Sequence, residues 1–122
     1  MSTKDKTLIV VYLGLAVAAL VGTWSQNLAF AMQLGSFPRF VLGFVPAALA
    51  NHAAASIFID ILLLGLAALI FMSGEAKRLS IPHFWLFVVI AFAIAGSVAF
   101  ALFMAVRQAR IASNVRTAAA SA

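Results

Sequence analysis

One carboxylate stands alone in a long apolar run. Asp60 is the single charged residue between His52 and Met72. A carboxylate at such depth in lipid costs roughly 2.5–3.5 kcal/mol on insertion scales, so it must face protein or water or carry a proton. The chemistry open to it is that of a proton carrier, a ligand anchor or a general acid. The plainer alternative is a structural hydrogen bond that ties helices together. His52, Ser56 and Asp60 follow one another at i, i+4 and i+8, so a helix places them in one stripe leading from its end inward. Such a stripe can relay a proton or line a polar slot. Equally, His52 is a residue at the wet end of a helix and Ser56 bonds back to its own backbone. Asn51, just before the stripe, is suited to cap the helix.

A second polar cluster is Glu75, Lys77 and Arg78. Glu75 and Arg78 are three apart, so a surface ion pair is the default reading. A lipid-headgroup or partner contact is the functional one. Enzymatic signatures are missing. No glycine-rich phosphate loop occurs, and His52, Ser56 and Asp60 run along one helix in an order that does not suit a hydrolytic triad. His52 and His83 belong at opposite ends of a span, so no metal site is expected, nor any cofactor. With no cysteine there is no thiolate chemistry.

These residues must be positioned by helices in a membrane. The chain has 122 residues, 66% hydrophobic and 9% charged. Eight basic and three acidic side chains cannot clothe a soluble exterior. Nucleic-acid binding is not expected from the net charge of +5, because the basic residues sit at the edges of apolar blocks, where anionic headgroups meet them. Three blocks reach the roughly 20 apolar residues that cross a 30 Å hydrocarbon layer: residues 7–24, 52–72 and 84–106. The period-2 alternation of a barrel is missing. The first block is longer than the apolar centre of a cleavable signal and lacks a small-x-small site after it, which favours a retained helix.

Residues 37–50 are too short to cross and carry Pro46. Phe37, Phe40, Val41, Phe44 and Val45 share one helical face, which predicts an amphipathic helix lying in the interface with Arg39 at the headgroups. Gly74 is placed to end the second span and Pro82 to begin the third. Residues 107–122 form a basic tail. The fold class is therefore all-α integral membrane, a single domain of three transmembrane helices and one interfacial helix. Small-residue ridges at Gly14, Ala18 and Gly22 and at Ala93, Ser97 and Ala101 lie at a similar depth to Asp60, and Ser97 is placed to hydrogen-bond it. Trp24 and Trp85 read as interfacial anchors. Three spans put Lys4, Lys6, Lys77 and Arg78 on one side and Arg39, Arg107, Arg110 and Arg116 on the other. That is a tie under the positive-inside rule, and the first helix tips it to a cytoplasmic N-terminus.

The runs Ala50-Asn51, Ser56-Ile57, Asp60-Ile61-Leu62, Phe71-Met72 and Glu75-Ala76-Lys77-Arg78-Leu79, with Trp85 after them, resemble a bacterial membrane-protein family known as domain of unknown function 2834. The similarity runs from about Thr7, with Trp24 and Asn27 near the first helix end, to about Arg107. The sequence departs from the family pattern at Ala99-Phe100-Ala101-Leu102-Phe103, where a proline is common. It departs again at Gln108, where an acid often follows the arginine. The resemblance implies an inner (plasma) membrane protein and draws attention to Asn51, Asp60, Glu75 and Arg78. It supplies no reaction. The expected function is a small binding or accessory membrane protein that contacts lipids and a membrane-protein partner or a second copy. The alternatives are an intramembrane enzyme acting on a lipid or isoprenoid with Asp60 as acid, and a proton-coupled small transporter.

Overall fold

A computed structural model describes residues 1–122 as five helices and no strand: α1 (Thr3–Leu34), α2 (Phe37–Ala48), α3 (His52–Arg78), α4 (Phe84–Ala93) and α5 (Gly96–Ala120). Each start has a local cause. Ser2 and Asp5 form a reciprocal capping box on α1. Ser36 accepts from the amide of Arg39 with Pro38 in the first turn of α2. Asn51 Oδ1 accepts from the amide of Ala54 at 2.9 Å, so the expected cap of α3 is present.

Two helices, α1 and α3, are long and apolar enough to cross a membrane. The expected third span is not one helix. The block 84–106 breaks after Ala93: Ile94 still has a helical backbone, and Ala95 turns extended before α5 begins. Gly96 and Ser97 follow the break as the first residues of α5. At the break the chain reverses. The Phe87 and Phe103 rings lie edge-to-face at 5.3 Å between centroids, whereas a continuous helix would separate them by about 24 Å. Helices α4 and α5 are thus the arms of a hairpin.

Two further boundaries differ from expectation. Helix α1 does not stop near Trp24 but runs on to Leu34, where Gly35 takes a left-handed conformation at φ 76°. Helix α3 passes through Gly74 and ends at Arg78. Ser80, left-handed at φ 51°, and Ile81 return their amides to Lys77 and Ala76 in a Schellman motif. Ile81 then packs with Met72, Ala76, Leu79 and Phe103 to form the buried core. Pro82 lies outside α4, which His83 precedes in a left-handed conformation.

Helix α1 packs most extensively against α5, and α3 touches the rest of the chain more lightly. The short helix expected between the first two apolar blocks is present as α2, the most amphipathic of the five. It folds back on the end of α1, with Phe40 and Phe44 edge-on to Phe30 at 6.0 and 6.3 Å. Only 11 of 122 residues are buried, so the exterior of this chain is largely apolar.

Candidate functional site

Two of the three polar side-chain ties between distant helices gather at one end of the bundle. Glu75, near the end of α3, accepts from Arg78 Nε at 2.6 Å and Arg78 Nη2 at 2.8 Å. The expected i, i+3 pair is therefore formed, and it is bidentate. Its second carboxylate oxygen also accepts from Arg107 Nε on α5 at 2.5 Å. Arg107 in turn lies 5.9 Å from the centre of the Phe71 ring. The hydrogen bonds from Arg78 and then from Arg107 hold the Glu75 carboxyl at about 2, well below its ordinary 4.5. The same contact raises Arg78.

Alongside, Gln108 Nε2 donates to Asp5 Oδ1 at 2.7 Å, joining α5 to the first turn of α1. Hydrogen bonds from Ser2 and then Gln108 keep the Asp5 carboxyl below its usual range. The amide at position 108 thus has a purpose, because an acid there would face Asp5. Sequence reasoning missed both interhelical ties. They join residues 32 and 103 apart and depend on the hairpin reversal.

The reversal also regroups the charges. Since Arg107 reaches Glu75 and Gln108 reaches Asp5, the start of α1, the end of α3 and the middle of α5 share one end. Arg107 does not lie across from the 73–83 link, as three spans would require. Lys4, Lys6, Lys77, Arg78, Arg107, Arg110 and Arg116 now stand together, and Arg39 stands alone at the other end.

Below this end, α3 diverges from the hairpin and leaves a cleft of about 540 Å³. Phe58, Gly65, Leu66 and Leu69 of α3 line one wall; Phe92 and Gly96, on either side of the break, line the other. Of its 13 lining residues 11 are hydrophobic, and Phe44 of α2 closes its far end. A second hollow of about 440 Å³, between the end of α1 and α2, is lined by Gln26, Asn27 and Gln33. The break is tied from the opposite side by Trp24, whose Nε1 donates to the carbonyl of Ile94 at 3.1 Å. Trp24 is thus a structural hydrogen-bond donor as well as an apolar anchor.

The expected enclosure of Asp60 is absent within a single chain. Asp60, Ser56 and His52 are all exposed along the same face of α3, and this face turns away from the cleft. Ser97 is exposed at the start of α5, and no hydrogen bond joins it to Asp60. The reason lies in which small residues pack. Nothing approaches a side chain built at Gly14 or Gly22, so that ridge faces outward. Ala16 is the buried residue of α1, and Ala99, Ala101, Ala105 and Ala112 are the buried small residues of α5. Small residues do mediate the close approach: Ala101 of the expected α5 ridge is buried, whereas Gly14, Ala18, Gly22, Ala93 and Ser97 are exposed. Asn51 acts as a cap and is otherwise exposed.

The family pattern described as protein of unknown function DUF2834 matches residues 11–109. The chain belongs to this family. The DUF2834 match covers α1 from residue 11, all of α2, α3 and α4, the cleft and the first half of α5, and it includes Trp24, Glu75 and Arg107. It ends one residue past Gln108. Among curated proteins and among solved structures, nothing matches the chain.

Proposed function

We propose that this chain is a small bacterial inner-membrane binding protein whose cleft takes an apolar chain such as a lipid acyl or isoprenoid tail. Membrane insertion is supported by how α1 and α3 are used. Only 6% of the most apolar window of each is buried, so these helices are not a soluble core. A 30 Å hydrocarbon layer accommodates both. Helix α4, at 10 residues, is about 15 Å long and reaches only halfway. The α4–α5 hairpin is then a re-entrant element, of the kind tolerated where irregular backbone lies against protein or a cavity.

This arrangement supports an orientation. Seven basic residues flank the end shared by the N-terminus, the 73–83 link and the exit of α5, against Arg39 alone at the other. By the positive-inside rule that end is cytoplasmic, facing anionic headgroups.

The observation that carries the binding reading is the cleft itself. Its volume falls in the range of small-molecule sites, and its walls are apolar, with Gly96 of the hairpin turn among them. Asp60 lies on the reverse face of α3, which leaves the proton-donor reading without a carboxyl at the cleft.

The test is mass spectrometry of lipids retained by the purified full-length chain and by Gly65→Leu. Nothing lies within 4 Å of a β-carbon built at Gly65, and Gly65 lines the cleft, so a leucine there projects into open space. The expected result is a lipid species held by the parent chain and reduced about tenfold or more in the variant, equivalent to roughly 1.4 kcal/mol. Equal retention by both would contradict the reading.

A further inference from the structure

We infer that the outward face of α3 docks a membrane-spanning helix of another protein that carries a lysine or arginine at the depth of Asp60. The inference rests on the membrane reading above but uses a different surface. Ser56, Asp60, Leu63, Ala67, Ile70 and Gly74 recur at alternating steps of four and three, and all six are exposed. That is the 3.5-residue spacing of a helix–helix seam, and the small residues in it permit close approach. No other helix of the chain covers it. The inward face of α3, with Phe58, Gly65, Ala68, Leu69 and Met72, is the one turned to the cleft and the hairpin.

Depth makes the seam a matter of charge. Asp60 stands about 12 Å from the His52 end of α3 and about 22 Å from Glu75 at the other. It therefore lies in the hydrocarbon layer, where an ionisable side chain faces protein or water rather than acyl chains. Within its own chain it has no partner. A second copy does not supply one, because the eight basic residues of the chain sit at the two ends and none within α1 or α3 at this level. Two copies meeting along the seam would set carboxylate against carboxylate. The occupant that completes the site is a helix with a basic side chain opposite Asp60 and small or aliphatic residues around it.

The experiment uses the full-length chain in phosphatidylcholine vesicles with a synthetic leucine–alanine membrane helix bearing one central lysine. Association is read by energy transfer between dyes on the two. The lysine helix is expected to bind about tenfold tighter than the same helix with leucine at its centre, in line with the modest strength of polar contacts between membrane helices. Asp60→Leu is expected to remove that preference. Asp60→Lys is expected to transfer it to a host helix with a central aspartate, which a merely structural effect of the substitution would not do. Equal binding of lysine and leucine helices by the inserted chain would overturn the inference alone. So would efficient disulfide cross-linking of two copies through Leu63→Cys that excludes the lysine helix. A chain that alkaline carbonate strips from the vesicles would overturn the membrane reading, and this inference with it.

Discussion

The indole N–H of Trp24 donates to the main-chain carbonyl of Ile94 at 3.1 Å, tying α1 to the turn between α4 and α5 across 70 residues of sequence. Helix ends leave carbonyls without intrahelical donors, and in an apolar setting each lacks water as a substitute. The tryptophan therefore serves a backbone group that the reversal exposes.

Trp24→Phe keeps an aromatic, though smaller, side chain and removes the donor. The expected cost is about 1–3 kcal/mol, the range for a polar group left unsatisfied. Amide hydrogen exchange should quicken around Gly96 and Ser97 while the core near Phe103 stays protected. Unchanged exchange at the break would show that the bond does not hold the turn.

Acid should loosen the end where Glu75 gathers Arg78 and Arg107. Its carboxyl titrates at about 2 in the folded chain against an ordinary 4.5. A lowered folded value means that the stabilisation is complete above about pH 4.5 and is lost as pH falls through about 2. Thermal midpoints measured from pH 7 to pH 2 should be level at first and then decline within that window. Asp5, also lowered, contributes in the same direction. In Glu75→Gln the decline should shrink and the midpoint at pH 7 should already be lower.

Gln108→Glu restores the acid that is common at this position in the resembling pattern and sets it against Asp5, which now receives the Gln108 amide at 2.7 Å. Like charges in place of a hydrogen bond should lower the thermal midpoint by a few degrees at pH 7 and low salt. The deficit should fade once both carboxyls are protonated. A variant as stable as the parent chain at every pH would show that the Asp5–Gln108 tie is dispensable.

Ser80 holds φ at 51° to close α3, a conformation that costs a residue with a β-carbon. Ser80→Gly is expected to stabilise the chain by roughly 0.5–1 kcal/mol, since glycine occupies this region without steric penalty. Detergent-denaturation midpoints would register the gain. A loss instead would mean that the serine side chain has a role beyond the turn.

Sequence patterning was informative wherever a signal is local. Asn51 as a cap, the Glu75–Arg78 pair, the amphipathic α2 and the apolar runs of α1 and α3 all follow from spacings within a few residues. The α4–α5 hairpin was not legible. Its break lacks a proline, and Ala93-Ile94-Ala95-Gly96 is as apolar as the helix on either side. Mean apolar length therefore counted one span where there are two antiparallel arms. A single span sets Arg107 at the opposite end from Glu75 and divides the basic residues evenly, whereas the hairpin brings them together. Ser97 misses Asp60 because the Asp60 face of α3 turns away from the cleft that the hairpin lines. The choice of packing face failed for a related reason, since Gly14 and Ala16 are equally small and only the tertiary arrangement selects between them.

On the proposed membrane reading, α4 and α5 turn back inside the bilayer, so that the exit of α5 shares a side with the end of α3. Because the chain has no cysteine, single cysteines report their own side without background. Ser80→Cys, Ser113→Cys and Ser36→Cys, labelled in intact cells and in inverted vesicles with a membrane-impermeant maleimide, test it directly. The re-entrant arrangement predicts that Ser80→Cys and Ser113→Cys react only in inverted vesicles and Ser36→Cys only in intact cells. Labelling of Ser80→Cys and Ser113→Cys from opposite sides would contradict it.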